Sequence, residues 1–160
     1  MPSSKARPAS VKTGFSPAVT HRIDRADKHC RTSGASLTAT QRIVFGLLAE
    51  ERRPMGAYEL LDLLSRRTGR RVAPPTVYRA IEVLARHGLV ARVTSRNAFV
   101  LCAHPDHDHD CIFFLCDSCG AAREVEDSRF ERLLRHDAER LGFRPSRRIL
   151  EIEGKCRSCR

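Results

Sequence analysis

From Leu37 onward the apolar residues fall at helical spacing. Thr38-Ala-Thr-Gln41 fits a capping box, and Ile43, Val44, Leu47 and Leu48 follow as one stripe, which predicts a first helix. Pro54 and Gly56 break the pattern. Leu60, Leu61, Leu63 and Leu64 mark a second helix that stops near Gly69. Pro74 and Pro75 suit the start of a third helix, with Val77, Ile81 and Leu84 as its core face and Gly88 as its C-terminal cap. The period then changes. Residues 89–101 are rich in β-branched and apolar side chains interrupted by the polar Ser95-Arg96-Asn97, as a β-hairpin requires. Residues 112–115 and 121–125 read as short strands, and residues 149–153 alternate as a final strand. Between them, Ser128-Arg-Phe-Glu131 forms a second capping-box pattern, and Phe130, Leu133, Leu134, Ala138 and Leu141 continue at helical spacing.

Residues 1–36 are rich in Ser, Ala, Pro and basic residues and show no apolar period, so they are expected to be a disordered basic tail. Three short helices followed by a hairpin is the order of a winged helix-turn-helix. The expected fold class is therefore α+β, with an N-terminal winged helix-turn-helix domain over residues 37–101 and a small C-terminal α/β domain over residues 102–160. In helix-turn-helix readers one short helix enters the DNA major groove. The third helix is the candidate, with Thr76, Tyr78 and Arg79 near its N-terminal end. Three helices and a hairpin can also be no more than a small globular domain; charge and connection lengths favour the DNA reading.

Charge sharpens the division. The 160 residues carry a formal net charge of +10. Residues 1–36 hold 7 Lys/Arg against 2 acids, residues 37–101 hold 11 against 5, and residues 102–160 hold 11 against 12. The first two segments suit a polyanion such as nucleic acid, whereas the last is near neutral and holds six of the seven cysteines. No stretch approaches the length of a transmembrane helix, and the N-terminus lacks the apolar core of a secretory signal. Seven cysteines without an export signal point to a reducing compartment, so the expected location is cytoplasmic.

Cys116-Asp-Ser-Cys119-Gly and Cys156-Arg-Ser-Cys159 form a paired C-x-x-C set. Two intervening residues let both sulfurs of a knuckle reach one tetrahedral ion, and four thiolates leave no open position for chemistry, which points to structural zinc. A redox dithiol is the competing reading. A module of some 58 residues has a marginal core alone, so a metal staple or a dimer partner is expected. The segment Cys102-Ala-His104-Pro-Asp-His107-Asp-His109-Asp-Cys111 could supply a mixed S/N/O metal site or be a solvated polar loop. No second cluster of carboxylates and histidines completes a catalytic centre, and nothing combines a nucleophile, a base and a pocket motif. The chain is not read as an enzyme, and no small organic substrate is expected.

These residues resemble the ferric uptake regulator family, most closely its zinc-uptake-regulator branch. The resemblance covers about residues 37–160 and rests on Leu37-Thr-x-x-Gln-Arg42, Ala57-Tyr-Glu-Leu-Leu-Asp-Leu-Leu64, Pro74-Pro-Thr-Val-Tyr-Arg-Ala80, Asn97-Ala-Phe-Val-Leu-Cys102, Phe114-Leu-Cys-Asp-x-Cys-Gly120 and the pair Cys156/Cys159. It implies a homodimeric metal-dependent repressor whose C-terminal domain dimerises and which binds a palindromic double-stranded DNA operator. It implies that Cys116, Cys119, Cys156 and Cys159 hold the structural zinc, and that Tyr58 and Arg79 contact operator bases. It also implies a sensory zinc site between the domains, with Cys102, His109 and Glu124 as ligands. The branch's fourth ligand, a histidine, falls at Ala91; His107 is the nearest substitute along the chain, with His104 and His87 as others. A further site of iron-type members, pairing an acid at Glu131 with a histidine, meets Arg148 instead. Cys30 is expected to be an incidental tail thiol, and Cys111 to line the sensory loop or pack.

A thiolate in the sensory shell favours zinc over Fe(II) or Mn(II). The resulting reading is a zinc-responsive repressor of zinc-uptake genes, with zinc as co-repressor and one structural and one regulatory ion per chain. Two alternatives keep the DNA-binding half: a family repressor that senses another metal or peroxide, and a zinc-stapled DNA-binding protein controlled by thiol redox.

Overall fold

The structure is a computed structural model, and it describes residues 14–102, 111–145 and 149–160. Among these residues the chain order is α1 (Pro17–Thr32), α2 (Ala39–Glu51), β1 (Met55–Gly56), α3 (Ala57–Thr68), α4 (Pro74–Arg86), β2 (Val90–Val93), β3 (Ala98–Leu101), β4 (Cys111–Cys116), β5 (Ala122–Val125), α5 (Ser128–Arg140) and β6 (Ile149–Gly154). A short 3-10 turn, Arg157–Cys159, closes the described chain.

The expected tail is the largest difference. From Pro17 it is a helix, capped by Ser16, whose side chain accepts from the Val19 amide, and started by proline. Val19, Ile23, Ala26 and Cys30 follow one another at about one turn each and are buried against α2. Cys30 is therefore a core residue and not an incidental thiol; it is 0% exposed, and burial, with Asp27 beside it, pushes its thiol up. Asp27 is also buried. It accepts from the Leu37 amide at 2.8 Å and pairs with Arg42 at 2.6 Å and Arg31 at 2.8 Å, which ties α1 to the entry of α2. Residues 1–13 of the expected tail lie outside the described residues. Just before α1, the Phe15 ring lies against Gly46 in α2, where any Cβ would overlap it, and the Arg67 guanidinium covers the ring at 3.8 Å.

The capping box at Thr38 and Gln41 forms as expected, with both reciprocal bonds present. The second does not: Ser128 is the first residue inside α5, and Asp127 caps it by accepting from the Arg129 amide at 2.9 Å. Leu60 and Leu64 of α3 and Val77, Ala80, Ile81 and Leu84 of α4 close over α2 in one core. β2 and β3 form the hairpin, and β1 joins β3 through Met55↔Phe99 and Gly56↔Ala98. The α2–α3–α4 helices and this three-stranded sheet make the winged helix-turn-helix.

The second sheet has the order β5-β4-β6, with β4 antiparallel to β5 and parallel to β6. Alternation assigns its faces. Phe113 and Leu115 point one way, together with Glu124 and Ala122 opposite them on β5 and Glu151 and Glu153 on β6. On this face Phe113 and Leu115 pack against Ala91, Val93 and Val100 of the wing sheet. The two sheets thus share a small core of their own. The other face carries Phe114, Val125 and Ile152, all exposed, and α5 buries none of its residues within the chain.

Candidate functional site

Three residue groups come together in ways that bear on function: a thiol cluster, a seam between the two sheets, and the outer surface of α4.

The parallel β4–β6 pair sets the Cys116↔Gly154 register, so the two C-x-x-C segments leave the sheet side by side. The Cys116 amide donates to Ala121 O at 2.8 Å and the Gly120 amide to Cys116 O at 3.0 Å, which closes a tight turn around Cys119. Gly120 there has φ +74°, a left-handed conformation that glycine adopts without penalty. Across from it, the Cys159 amide donates to Cys156 O at 2.9 Å. The four sulfurs of Cys116, Cys119, Cys156 and Cys159 lie within 4.8 Å of one another, and Cys119 and Cys156 are 3.7 Å apart. A zinc–sulfur bond of about 2.3 Å implies a tetrahedral edge of about 3.8 Å, so the cluster fits that ion. The backbone N–H groups of Cys119 and Cys156 are directed at the Cys116 sulfur, the latter at 3.4 Å, and bring this thiol down to about 6. Hydrogen bonding to the Cys156 and Cys119 sulfurs holds the Cys159 thiol up at about 12. One thiolate is thus stabilised by backbone while neighbouring sulfurs crowd it, a condition that a divalent cation relieves.

Cys102 sits at the end of β3, its amide donating to Leu89 O at 3.1 Å, and packs against the cluster shared by the two sheets. Glu124 stands opposite Phe113 on the same face of the second sheet, half-buried. Cys102 and Glu124 therefore line one seam between the modules. His109, His107 and His104 lie outside the described residues. Ala91 is buried beside Val100, so its position belongs to the apolar seam. The His87 carbonyl accepts from His29 Nε2 at 3.2 Å, and its Nδ1 lies 3.4 Å from Ser33 Oγ, which engages His87 with the end of α1.

On α4, Val77, Ala80, Ile81 and Leu84 point inward, so Thr76, Tyr78 and Arg79 are left on the exposed side. Tyr58, in the first turn of α3, is 69% exposed. Tyr58 and Tyr78 share a recess of about 340 Å3 with Arg92, Asn97 and Phe99. Arg92 donates to Asn97 Oδ1 at 2.7 Å and adds a cation that motif reading did not single out. It is the one exposed residue of β2, and its only sequence signal was a charged side chain among apolar ones.

The model of the ferric uptake regulator family matches residues 32–153. The zinc uptake regulation protein of Escherichia coli (strain K12) is 35% identical over 138 residues, which is 86% of this chain and 80% of that protein. Among solved structures, a zinc uptake regulator complexed with zinc and DNA superposes with a TM-score of 0.83 at 32% identity, over 89% of this chain and 95% of the other. The crystal structure of holo XcZur gives 0.79 at 38% identity, over 86% and 96%. That of apo XcZur gives 0.51 at the same 38% identity, over 88% and 97%. At the same identity, this chain therefore superposes better on the holo structure than on the apo one. No helix among the described residues is long and apolar enough to cross a membrane. On the family match and the identity to its zinc-regulating relatives, this chain belongs to the ferric uptake regulator family.

Proposed function

We propose that this chain is a zinc-responsive DNA-binding repressor of zinc-uptake genes, working as a cytoplasmic homodimer on a palindromic operator. The observation that carries the reading is conformational. The two modules lie against each other as they do in a relative complexed with zinc and DNA, with a TM-score of 0.83, while an apo relative gives 0.51.

In this reading Cys116, Cys119, Cys156 and Cys159 hold a structural zinc that stabilises the small second module. Cys102, His109 and Glu124 would hold a regulatory zinc, with His107 as the nearest fourth ligand, and the bound ion supplies a cross-link between the end of the wing and the second sheet. The residues do the rest. Cys102 ends the wing strand and Glu124 belongs to β5, so drawing the two together favours the seated position of residues 37–101 on residues 102–160. The gain is limited to the differential affinity of these ligands for that position, about 1–3 kcal/mol for a typical allosteric coupling. Seated domains hold the two α4 helices of a dimer at a fixed spacing for successive major grooves. Arg79 can pair with O6 and N7 of a guanine, and Tyr58, Thr76 and Tyr78 line the same approach. α1 joins the DNA-binding domain and adds to its basic character. The exposed face of Phe114, Val125 and Ile152, with Leu133 of α5, supplies the apolar surface for the second copy.

The test is DNA binding by fluorescence anisotropy across buffered free zinc, with Fe(II) and Mn(II) series alongside. The probe is a duplex selected from randomised DNA on the zinc-loaded protein. A steep gain with zinc and little with the other metals is expected, and Cys102→Ser should abolish the gain while leaving a folded dimer. Equal binding at every metal level would refute sensing, and loss of binding on mild oxidation at constant zinc would favour thiol control.

A further inference from the structure

The wing turn, residues 94–97, makes contacts that neither metal site nor the α4 surface accounts for. Asn97 closes it with φ +45°. The turn's first two amides are directed at a single carboxylate: Thr94 N–H donates to Glu151 Oε1 at 2.5 Å and Ser95 N–H to Glu151 Oε2 at 3.0 Å. Glu151 belongs to β6, 56 residues further along the chain than Ser95. From the same turn Arg96 reaches the zinc knuckle, where its guanidinium donates to Cys116 O at 3.0 Å and to Gly120 O at 3.2 Å. All four bonds cross between the modules, and each has one charged partner, the stronger kind of hydrogen bond. They lie at the rim of the apolar seam of Ala91, Val93 and Val100 against Phe113 and Leu115.

We propose that this turn is a latch: Glu151 and Arg96 are positioning residues that seat the DNA-binding domain on the metal-binding domain, independently of the regulatory zinc ligands. The acid holds the turn from β6, and the arginine holds the knuckle from the turn. Arg96 faces protein carbonyls and is thereby withheld from phosphate, so the tip of this wing serves as a joint between modules and not as a DNA contact. The acceptors of Arg96 are backbone atoms of the knuckle built around Cys116 and Cys119. The folding of the knuckle is therefore felt at the wing, and the staple and the DNA-binding domain are mechanically connected.

The DNA arm of the test rests on the proposed function; the exchange arm does not. Full-length zinc-loaded protein is compared with Arg96→Ala, Arg96→Lys and Glu151→Gln. Glu153→Gln makes the same charge change two residues along β6 and serves as the control. Hydrogen–deuterium exchange of the Thr94 and Ser95 amides reads the latch directly, zinc content by atomic emission reads the metal sites, and anisotropy on the selected duplex reads the consequence. Arg96→Ala and Glu151→Gln should each speed exchange at the turn and weaken DNA binding about tenfold, with zinc content unchanged. The double variant should be weakened by less than the product of the two, because both substitutions release one joint. Arg96→Lys, which keeps the charge and loses the fork, should fall between wild type and alanine. Unchanged exchange at Thr94 and Ser95 in both variants would overturn the latch, and so would faster exchange with wild-type DNA affinity. A wild-type protein that binds no DNA with zinc would refute the proposed function, and the exchange data alone would then decide the latch.

Discussion

Replacing Asp27 by alanine tests whether α1 is an integral part of the winged helix-turn-helix core. The carboxylate is 4% exposed and has three partners: the Leu37 amide and the guanidinium groups of Arg42 and Arg31. These losses differ in weight. The Leu37 amide is buried and has no water to turn to, so stranding it costs about 1–3 kcal/mol. Arg31 and Arg42 keep 65% and 31% of their side-chain surface in solvent, and Arg42 also donates to Leu37 O at 3.3 Å, so the two ion pairs add about 1 kcal/mol or less. The expected destabilisation is about 1–4 kcal/mol, while Asp27→Asn, which keeps an oxygen for the Leu37 amide, should cost about 1 kcal/mol or less. Urea unfolding at fixed zinc measures both, as a shift in midpoint at constant slope. A cost below about 0.5 kcal/mol for alanine would mean that α1 is not anchored through this residue, and equal costs for the two variants would place the energy in the ion pairs and not in the amide.

Other substitutions probe the remaining parts. Arg79→Ala should cost about 1–3 kcal/mol at one base pair and relax the preference there, read by competition between duplexes that differ at single positions. Strong chelation, or Cys119→Ser, should lower the melting temperature of the second module by at least about 8 °C, since a structural zinc contributes folding energy directly; a circular-dichroism melt indifferent to chelator would argue against the staple. Phe114→Glu sets a charge in the exposed apolar face and should give monomers in sedimentation, with zinc still bound by the four cysteines. Gly46→Ala places a methyl group where the Phe15 ring lies and should displace that ring from under Arg67, at about 1 kcal/mol, measurable as a small loss in thermal stability.

The parts of this molecule legible in the sequence are those in which a local rule carries the information. The stripe of α2, the proline start of α4 and the paired C-x-x-C segments each state their structure within a few residues, and the cysteine cluster forms as the spacing predicts. α1 escaped because a helix resting on one neighbour needs only one apolar residue per turn, and Val19, Ile23, Ala26 and Cys30 are hidden among charged residues. The cap of α5 moved by one residue because aspartate at 127 and serine at 128 are both good caps, and only the backbone decides between them. Glu151 gave no signal at all. In the sequence it is the polar half of an alternating strand, and its role depends on a turn that folding brings to it from another module. For the same reason Cys102 and Glu124 were paired by resemblance, not by pattern; their shared seam is created by packing of two sheets.

The parallel pairing of β4 with β6 also sets an order of events in synthesis. Its register joins Cys111 to Ile149, near the end of the chain, whereas every helix and strand of the winged helix-turn-helix, the β1–β3 pair included, lies before Cys102. On a ribosome the winged helix-turn-helix is therefore made while β6 and the second cysteine pair are still to come. A growing chain passes through a stage at which it holds α4 and the wing but neither the second C-x-x-C segment nor the strand that carries Glu151. Only when residues 149–159 emerge can the four-cysteine cluster close and Glu151 reach the wing turn.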